Sequence, residues 1–288
     1  MNTTTTPTAS VTNEATQSAA ATATAAAATV AGPFVRSTRD ARGVVTLMLD
    51  RPQSFNALSE GMLAALQTEL DAVAADEGVR LVVLAGAGKA FCAGHDLKQM
   101  RAAPSLAYYE GLFAQCARLM LTIQRLPVPV IARVQGIATA AGCQLVATCD
   151  LAVAASDARF AVSGVNYGLF CSAPSVALAR NLPRKQAMEM LLTGDFIGAE
   201  EARERGLVNR VAAPEDLDAA VEALVARIVC KPRAAIALGK AQFYRQVEVG
   251  TEAAYAIAGT AMACNMMDEA ALEGVQAFVE KRQPAWRA

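Results

Sequence analysis

The chain has 288 residues, of which 54% are apolar and 18% charged, a composition typical of a globular protein with a large buried core. Its net charge is −1 and it has no basic patch with interleaved aromatic residues, so no nucleic-acid partner is expected. Its seven cysteines lack CxxC spacing, which argues against a disulfide framework or a zinc site and favours reduced thiols in the cytoplasm.

The N-terminal segment differs from the rest of the chain. The first 31 residues are nearly all Thr, Ala and Ser, and Glu14 is their only charged residue. Such a segment offers few side chains that a core could bury, so we predict a disordered arm over residues 1–33. It lacks the basic residues of a secretory signal or a mitochondrial presequence, and its alanine run is too weakly apolar to span a bilayer. We therefore predict a cytoplasmic protein without a membrane partner.

Strands and helices alternate in the next part of the chain. Short apolar runs predict buried strands at residues 44–49, 79–88, 130–136 and 150–156. Helical patterns occupy residues 59–75, 105–126 and 141–149. This alternation predicts an α/β fold with crossover connections. After about residue 185 the patterns are mostly helical, and short runs such as 206–211 interrupt them.

Two segments, 82–100 and 130–149, share one design: a buried strand, a turn of small residues and a helix. Small residues allow a ligand to approach the backbone closely, and a helix N-terminus presents unpaired N–H groups. Two such turns facing each other would offer two backbone donors to a developing oxyanion. Glycine turns in α/β proteins are, however, mostly structural.

Several motifs occur in the order typical of the crotonase, or enoyl-CoA hydratase/isomerase, superfamily. They are RPQSFNAL (51–58), VVLAGAGKAFCAGHDL (82–97), PVIARVQGIATAAGCQLVATCDLAVAA (129–155), FAVSGVNYGLF (160–170), LLTGDFIGAEEARERGLVNRV (191–211) and AFVEKRQPAW (277–286). The chain resembles this family over about residues 34–288, especially its hydratase-domain proteins with a GHDLK turn. The resemblance implies a spiral core of repeated ββα units (34–225), and a helical C-terminal region (226–288) that assembles homotrimers, often paired as hexamers.

The resemblance also implies an acyl-CoA or enoyl-CoA ligand, with coenzyme A as part of the substrate and no permanently bound cofactor or metal. In this family two backbone N–H groups bind the thioester oxygen, and they correspond to those of His95 and Ala141. The amide of His95 is therefore expected to matter more than its imidazole. By the same correspondence, the residues expected to contact coenzyme A are Gln53, Ser54, Ala57, Asp96, Leu97, Lys98, Phe278 and Lys281. For the two lysines, simple exposure to solvent is the alternative.

The hydratases of this family use two glutamates as acid and base, and the corresponding residues here are Gln144 and Gly164. Neither side chain can transfer a proton, so we expect hydration to be weak. Three interpretations stay open. The protein is an enzyme with a different acid or base, an enzyme whose reaction mainly needs stabilisation of an enolate by the paired N–H groups, or an acyl-CoA-binding regulatory protein without catalysis. The candidate replacements are Asp96, Tyr167, Cys143, Cys171 and His95. A structural assembly protein without a ligand is a further alternative.

Overall fold

The computed structural model describes residues 33–102 and 104–287, so the predicted disordered arm lies outside the described residues except for Pro33. The strands in the described part are β1 (Val35–Arg39), β2 (Val44–Leu49), β3 (Leu81–Gly86), β4 (Ala90–Cys92), β5 (Val130–Val134), β6 (Ile137–Thr139), β7 (Leu151–Ala155), β8 (Arg159–Ala161), β9 (Ile197–Gly198) and β10 (Arg210–Ala212).

The α-helices of the same residues are α1 (Glu60–Ala75), α2 (Leu97–Ala102), α3 (Leu106–Arg125), α4 (Ala141–Thr148), α5 (Ser172–Asn181), α6 (Arg184–Thr193), α7 (Ala199–Glu204), α8 (Leu217–Val229), α9 (Arg233–Gln246), α10 (Thr251–Met266) and α11 (Glu269–Val279). Short 3₁₀ helices occupy Pro52–Ser54, Ser163–Tyr167, Pro214–Asp216 and Ala285–Arg287. In the described residues no helix is long and apolar enough to cross a membrane.

The strands form two sheets. The larger sheet has the order β1-β2-β3-β5-β7-β10, in which β1 and β2 are antiparallel and the other neighbours are parallel. The smaller sheet has the order β4-β6-β8-β9, in which only the pair of β8 and β9 is antiparallel. Three large-sheet strands, β3, β5 and β7, are each followed by a small-sheet strand and then by a helical segment. This confirms the predicted α/β arrangement of repeated ββα units.

The central strands are apolar on both faces because both faces are covered. All six residues of β3 are buried. Its Val82 and Leu84 belong to the main core, whereas Leu81 and Val83 pack in a second core against α8. This double burial explains why the strand appears in the sequence as an unbroken apolar run, without the alternation of a half-exposed strand.

A helical C-terminal region follows the sheets, as predicted. Its helix α9 is attached to the core through Lys240, whose Nζ donates hydrogen bonds to Ile123 O (2.8 Å), Val128 O (2.9 Å) and Asp150 Oδ2 (2.7 Å). The hydroxyl of Tyr244 donates to the other oxygen of Asp150 at 2.9 Å. The predicted division between residues 225 and 226 stays a prediction, and it falls within α8.

Candidate functional site

The two small-residue turns are in direct contact. Parallel pairing of β4 with β6 brings them side by side. Gly94 has a φ of +87°, and a Cβ added to it would lie 2.9 Å from Thr139 O and 3.1 Å from the amide nitrogen of Ala141. A Cβ on Gly142 would overlap the carbonyl oxygen of Cys92. The turns therefore approach each other at backbone distance, which only glycine allows at these positions.

The amide of Ala141 is the first of helix α4. Gln144 N–H donates to Ala140 O at 3.0 Å, so the intrahelical hydrogen bonds begin there and leave the first N–H groups to other partners. Ala140 has a φ of +51°, a left-handed conformation that is unfavourable for a residue with a Cβ. The turn thus directs the positive end of the helix dipole toward the contact with Gly94.

The His95 side chain is partly buried and packs against Leu58 and Phe113. Its Nδ1 lies 3.3 Å from Leu58 O, and its ring meets Phe113 edge-on with 5.5 Å between the centroids. A carbonyl oxygen can only accept, so the hydrogen of the neutral ring lies on Nδ1. Burial lowers the pKa of the imidazole, although the Leu58 carbonyl opposes this effect. His95 is therefore uncharged at neutral pH.

The turn between β2 and α1 lies beside the His95 turn. Leu58 N donates to Gly94 O at 2.7 Å, and Ala93 N donates to Phe55 O at 3.0 Å. Gln53 and Ser54, on the 3₁₀ helix of this turn, are exposed, and Ala57 is half-buried. The structure therefore places three of the predicted coenzyme A contacts in the turn that is hydrogen-bonded to residues 93 and 94.

Asn56 connects these turns, and the sequence analysis missed it. The side chain is fully buried; its Oδ1 accepts from Arg51 N at 2.9 Å, and its Nδ2 donates to the carbonyls of Ala87 (2.9 Å), Ala90 (2.8 Å) and Phe91 (3.2 Å). Its φ is +54°, a conformation that Asn adopts more readily than most residues. Its position between the apolar residues Phe55 and Ala57 in RPQSFNAL could have indicated a buried Asn.

Asp96, Leu97 and Lys98 continue from the His95 turn into α2. Asp96 Oδ1 accepts from Lys98 N at 2.9 Å and from Gln99 N at 3.1 Å, so the carboxylate caps this helix. Leu97 and Lys98 are exposed on the same edge. These residues directly follow His95 in the chain, and their contact with coenzyme A stays a prediction.

Gln144 lies in the first turn of α4 and is only 5% exposed. Its Oε1 is buried and has no hydrogen-bond partner among the described residues. The Gln144 side chain is therefore buried at the start of α4, with its carbonyl oxygen unpaired among the described residues.

Gly164 is enclosed by its own loop. Leu169 N donates to Gly164 O at 3.0 Å, which closes the turn. A Cβ on Gly164 would overlap Leu169 O and would lie 2.7 Å from Cys171 Sγ. Ser163, just before it, has its Oγ 3.1 Å from Thr139 Oγ1, which ties this loop to the turn that precedes Ala141. A glutamate at position 164 would thus require Leu169 and Cys171 to shift.

Comparison with known proteins identifies the family. The family model Enoyl-CoA hydratase/isomerase matches residues 39–288. The chain is 42% identical over 254 residues to enoyl-CoA hydratase domain-containing protein 3, mitochondrial, of Rattus norvegicus, covering 88% of this chain and 85% of that protein. The chain belongs to the enoyl-CoA hydratase/isomerase family.

Solved structures of this family share the fold. The crystal structure of an enoyl-CoA hydratase from Mycobacterium smegmatis is 68% identical, with a TM-score of 0.88, and the match covers 89% of this chain and all of that one. Human enoyl-CoA hydratase domain-containing protein 3 is 40% identical, with a TM-score of 0.85 and coverage of 88% and 100%. The suspected crotonase resemblance is therefore confirmed for both sequence and fold.

The candidate replacements for the family's glutamates are poorly suited to proton transfer at neutral pH. Burial raises the pKa of Cys143 to about 12. Burial also raises the pKa of Cys171, although a hydrogen bond with the Gly164 backbone partly offsets the effect. A thiol of raised pKa is a weak nucleophile and offers no thiolate base. Tyr167 is 75% exposed. Within the described residues no cluster of His, Cys, Asp and Glu is arranged to hold a metal ion.

The C-terminal pair of predicted contacts lies on and just after helix α11. Phe278 is on α11 and is 84% exposed, so the described residues of the same chain do not pack over it. Lys281, just after this helix, is also exposed and has a φ of +56°. The role of these two residues in binding coenzyme A stays a prediction.

The predicted cytoplasmic location is contradicted. The rat relative and its human counterpart, which is 41% identical, are named mitochondrial proteins. The prediction rested on the missing arginines near the N-terminus and on the reduced cysteines. Free thiols indicate only a reducing environment and cannot distinguish one such compartment from another.

Proposed function

We propose that this chain binds acyl-CoA or enoyl-CoA thioesters, with the backbone N–H groups of His95 and Ala141 donating to the thioester oxygen. The observation that carries this proposal is the contact between the two glycine turns, in which Gly94 lies against the amide of Ala141. Two donors directed at one carbonyl would stabilise negative charge on that oxygen, as an enolate or a tetrahedral intermediate requires. Membership of the enoyl-CoA hydratase/isomerase family supports the same ligand class.

The coenzyme A moiety would lie along the neighbouring edge. Gln53, Ser54 and Ala57 would form one wall, and the run from Asp96 to Lys98 the other. The ammonium group of Lys98 would suit a phosphate of the ligand. Phe278 and Lys281 would complete this edge only from the C-terminal region of another copy, which fits the homotrimer or hexamer that the resemblance implies.

Hydration of an enoyl thioester would be weak. Each acid or base typically contributes about 10²–10⁴-fold to a rate, and Gln144 and Gly164 supply neither. A regulatory acyl-CoA-binding role is the second candidate function. It is favoured by the raised thiol pKa values, the uncharged His95 and the use of the Asp96 carboxylate as a helix cap.

Calorimetry with butyryl-CoA and with free coenzyme A tests thioester binding directly. We expect the thioester to bind more tightly than the free thiol, because only the thioester offers a carbonyl oxygen. Gly94→Ala should abolish the difference, since the added methyl group lies against the Ala141 amide. The control is Gly111→Ala on α3, where a Cβ meets no atom within 4 Å. No binding of butyryl-CoA at millimolar concentration would contradict the proposal.

Turnover of crotonyl-CoA separates the two candidate functions. Gln144→Glu returns one carboxylate to the site, and we expect its hydration rate to exceed the wild-type rate by at least about tenfold. A wild-type rate equal to that of an efficient hydratase would contradict the expectation of weak hydration. No rise in the variant would favour the regulatory role.

A further inference from the structure

The large sheet has an open groove on the face that α8 covers only in part. Val83 on β3 packs with Val221 and Val225 of α8 in the second core. Beside this contact lies a groove of about 660 Å³, lined by residues of β1, β2, β3, β5 and α8. That volume is in the range of small-molecule sites in proteins. Neither His95 nor Ala141 lines the groove, so it is distinct from the proposed thioester site.

One row of paired residues crosses the groove from β1 to β5. Arg36 on β1 is paired with Met48 on β2, which is paired with Ala85 on β3. Ala85 is paired in turn with Arg133 on β5, and all four residues line the groove. Since neighbouring strands are roughly 4.8 Å apart, about 14 Å separates the Cα atoms of the two arginines. The row between them is apolar, with Met48 half-buried and Ala85 buried.

Both arginines of this row keep N–H groups that no described residue accepts. Arg36 donates only from Nε, to Asp50 Oδ2 at 2.7 Å, so among the described residues its two terminal nitrogens make no hydrogen bond. Arg133 donates from Nε to Asp218 and from Nη1 to Gln135 Oε1 at 3.2 Å, which leaves its Nη2 without a partner in the same part of the chain. Guanidinium groups bind carboxylates through such donors.

The charges around the groove limit the charge of its ligand. Four arginines and three acidic residues line it, the latter being Asp40, Asp218 and Glu222. Arg42 is paired with both Asp40 and Glu222. These carboxylates would repel a ligand with several negative charges, whereas a single negative charge matches the excess of one arginine. The apolar surface of Met48 favours a ligand that also has an apolar body.

We propose that this groove is a second binding site, which takes an organic monocarboxylate. The carboxylate accepts hydrogen bonds from the free N–H groups of Arg36 and Arg133, and the apolar body lies on Met48 beside the valines of α8. The site is formed without any residue of the two glycine turns, so the proposal does not rest on thioester binding.

Methyl NMR of the full chain, labelled with ¹³C at the methionine methyl groups, tests this site directly. The Met48 signal is assigned as the one that Met48→Leu removes. The probes are hexanoate, which has both a charge and an apolar body, hexan-1-ol, which has only the body, and inorganic phosphate, which has only the charge. Hexanoate should shift the Met48 signal saturably, with an affinity at least about tenfold higher than that of either other probe.

Variants of the two arginines show whether they hold the carboxylate. Arg36→Gln and Arg133→Gln should each weaken hexanoate binding at Met48 by at least about fivefold, because each removes charge-assisted hydrogen bonds. The control is Arg180→Gln on α5, where the arginine is paired with Glu248 and does not line the groove. It should leave the affinity for hexanoate unchanged.

Four results would overturn the proposal. They are an unmoved Met48 signal at tens of millimolar hexanoate, shifts confined to other methionine signals, equal affinities for hexanoate and hexan-1-ol, and unaltered hexanoate binding in both arginine variants. Arg36 is exposed at the edge of the sheet, so Arg36→Gln alone decides the role of the guanidinium groups if Arg133→Gln fails to fold.

Discussion

Asn56 makes more side-chain hydrogen bonds within the site than any other residue described above. The amide satisfies one N–H and three carbonyl groups in two different turns while the residue itself adopts a positive φ. The peptide groups of Arg51 and of residues 87–91, which precede the His95 turn, therefore depend on a side chain that is itself fully buried.

Asn56→Ala should lower the free energy of unfolding by roughly 2–3 kcal/mol, because it leaves buried backbone groups unpaired. Urea denaturation followed by circular dichroism measures this loss. The control is Asn166→Ala, since Asn166 is exposed and makes one hydrogen bond, to Gly194 O at 3.3 Å; it should cost less than about 0.5 kcal/mol. Equal losses in the two variants would show that the buried network does not stabilise the fold.

His95 is the only histidine in the chain, so one set of imidazole signals in an NMR titration reports on it alone. We expect a pKa below the ordinary value of 6.5 in the folded protein and a value near 6.5 in urea. Between those two pKa values the unfolded chain binds more protons. Stability should therefore fall as the pH decreases below about 6.5. A folded-state pKa at or above 6.5 would contradict the buried, neutral imidazole.

At the scale of elements, the loop from the 3₁₀ helix Ser163–Tyr167 to Cys171 decides what position 164 can hold. Gly164→Ala should destabilise the protein by roughly 1–3 kcal/mol, because its methyl group overlaps Leu169 O. Gly111→Ala, on an exposed helical surface, should be neutral or stabilising by up to about 1 kcal/mol. Thermal denaturation of both variants makes the comparison. A Gly164→Ala variant of wild-type stability would mean that the loop opens freely and can accept a glutamate.

The longer elements were predictable from sequence because their apolar patterns are strong. The pattern at 59–75 corresponds to α1, that at 105–126 to α3, and the apolar run at 44–49 is β2. The small-sheet strands were missed because two or three residues show no periodicity. Strand β1 was missed because only its first residue is buried, so it carries no apolar alternation.

The site was predictable only in part. The two small-residue turns were visible as motifs, but their mutual contact depends on the pairing of β4 with β6, which no local pattern encodes. In the same way, Gly164 looks in sequence like a simple loss of a glutamate. Only the folded loop reveals that Leu169 and Cys171 occupy the space of a side chain there.

At the scale of the whole molecule, the C-terminal helices leave large apolar side chains uncovered within one chain. Tyr255 is 78% exposed, Met262 71% and Met267 76%. Patches of this kind mark surfaces that other molecules cover. We expect a second and third copy of this chain to cover them, in line with the homotrimer or hexamer implied by the family resemblance.

The double variant Tyr255→Glu/Met262→Glu should shift the protein toward a lower mass in sedimentation velocity, because two carboxylates would have to be buried between copies. Thr68→Glu, on the exposed face of α1, serves as the control and should leave the mass unchanged. A monomeric wild-type protein, or a double variant with unaltered mass, would show that these side chains take no part in association.

The carboxylate of Asp150 makes hydrogen bonds both to the large sheet and to the C-terminal helix α9. It accepts the N–H that opens strand β5 at Val130, and it also holds the ammonium of Lys240 and the hydroxyl of Tyr244. A chain cut after Lys231 would therefore retain a largely enclosed anion with no cation beside it. The spiral core therefore cannot simply be joined to the C-terminal helices of another protein. A replacement C-terminal region would have to place a positive charge beside Asp150, as Lys240 does here.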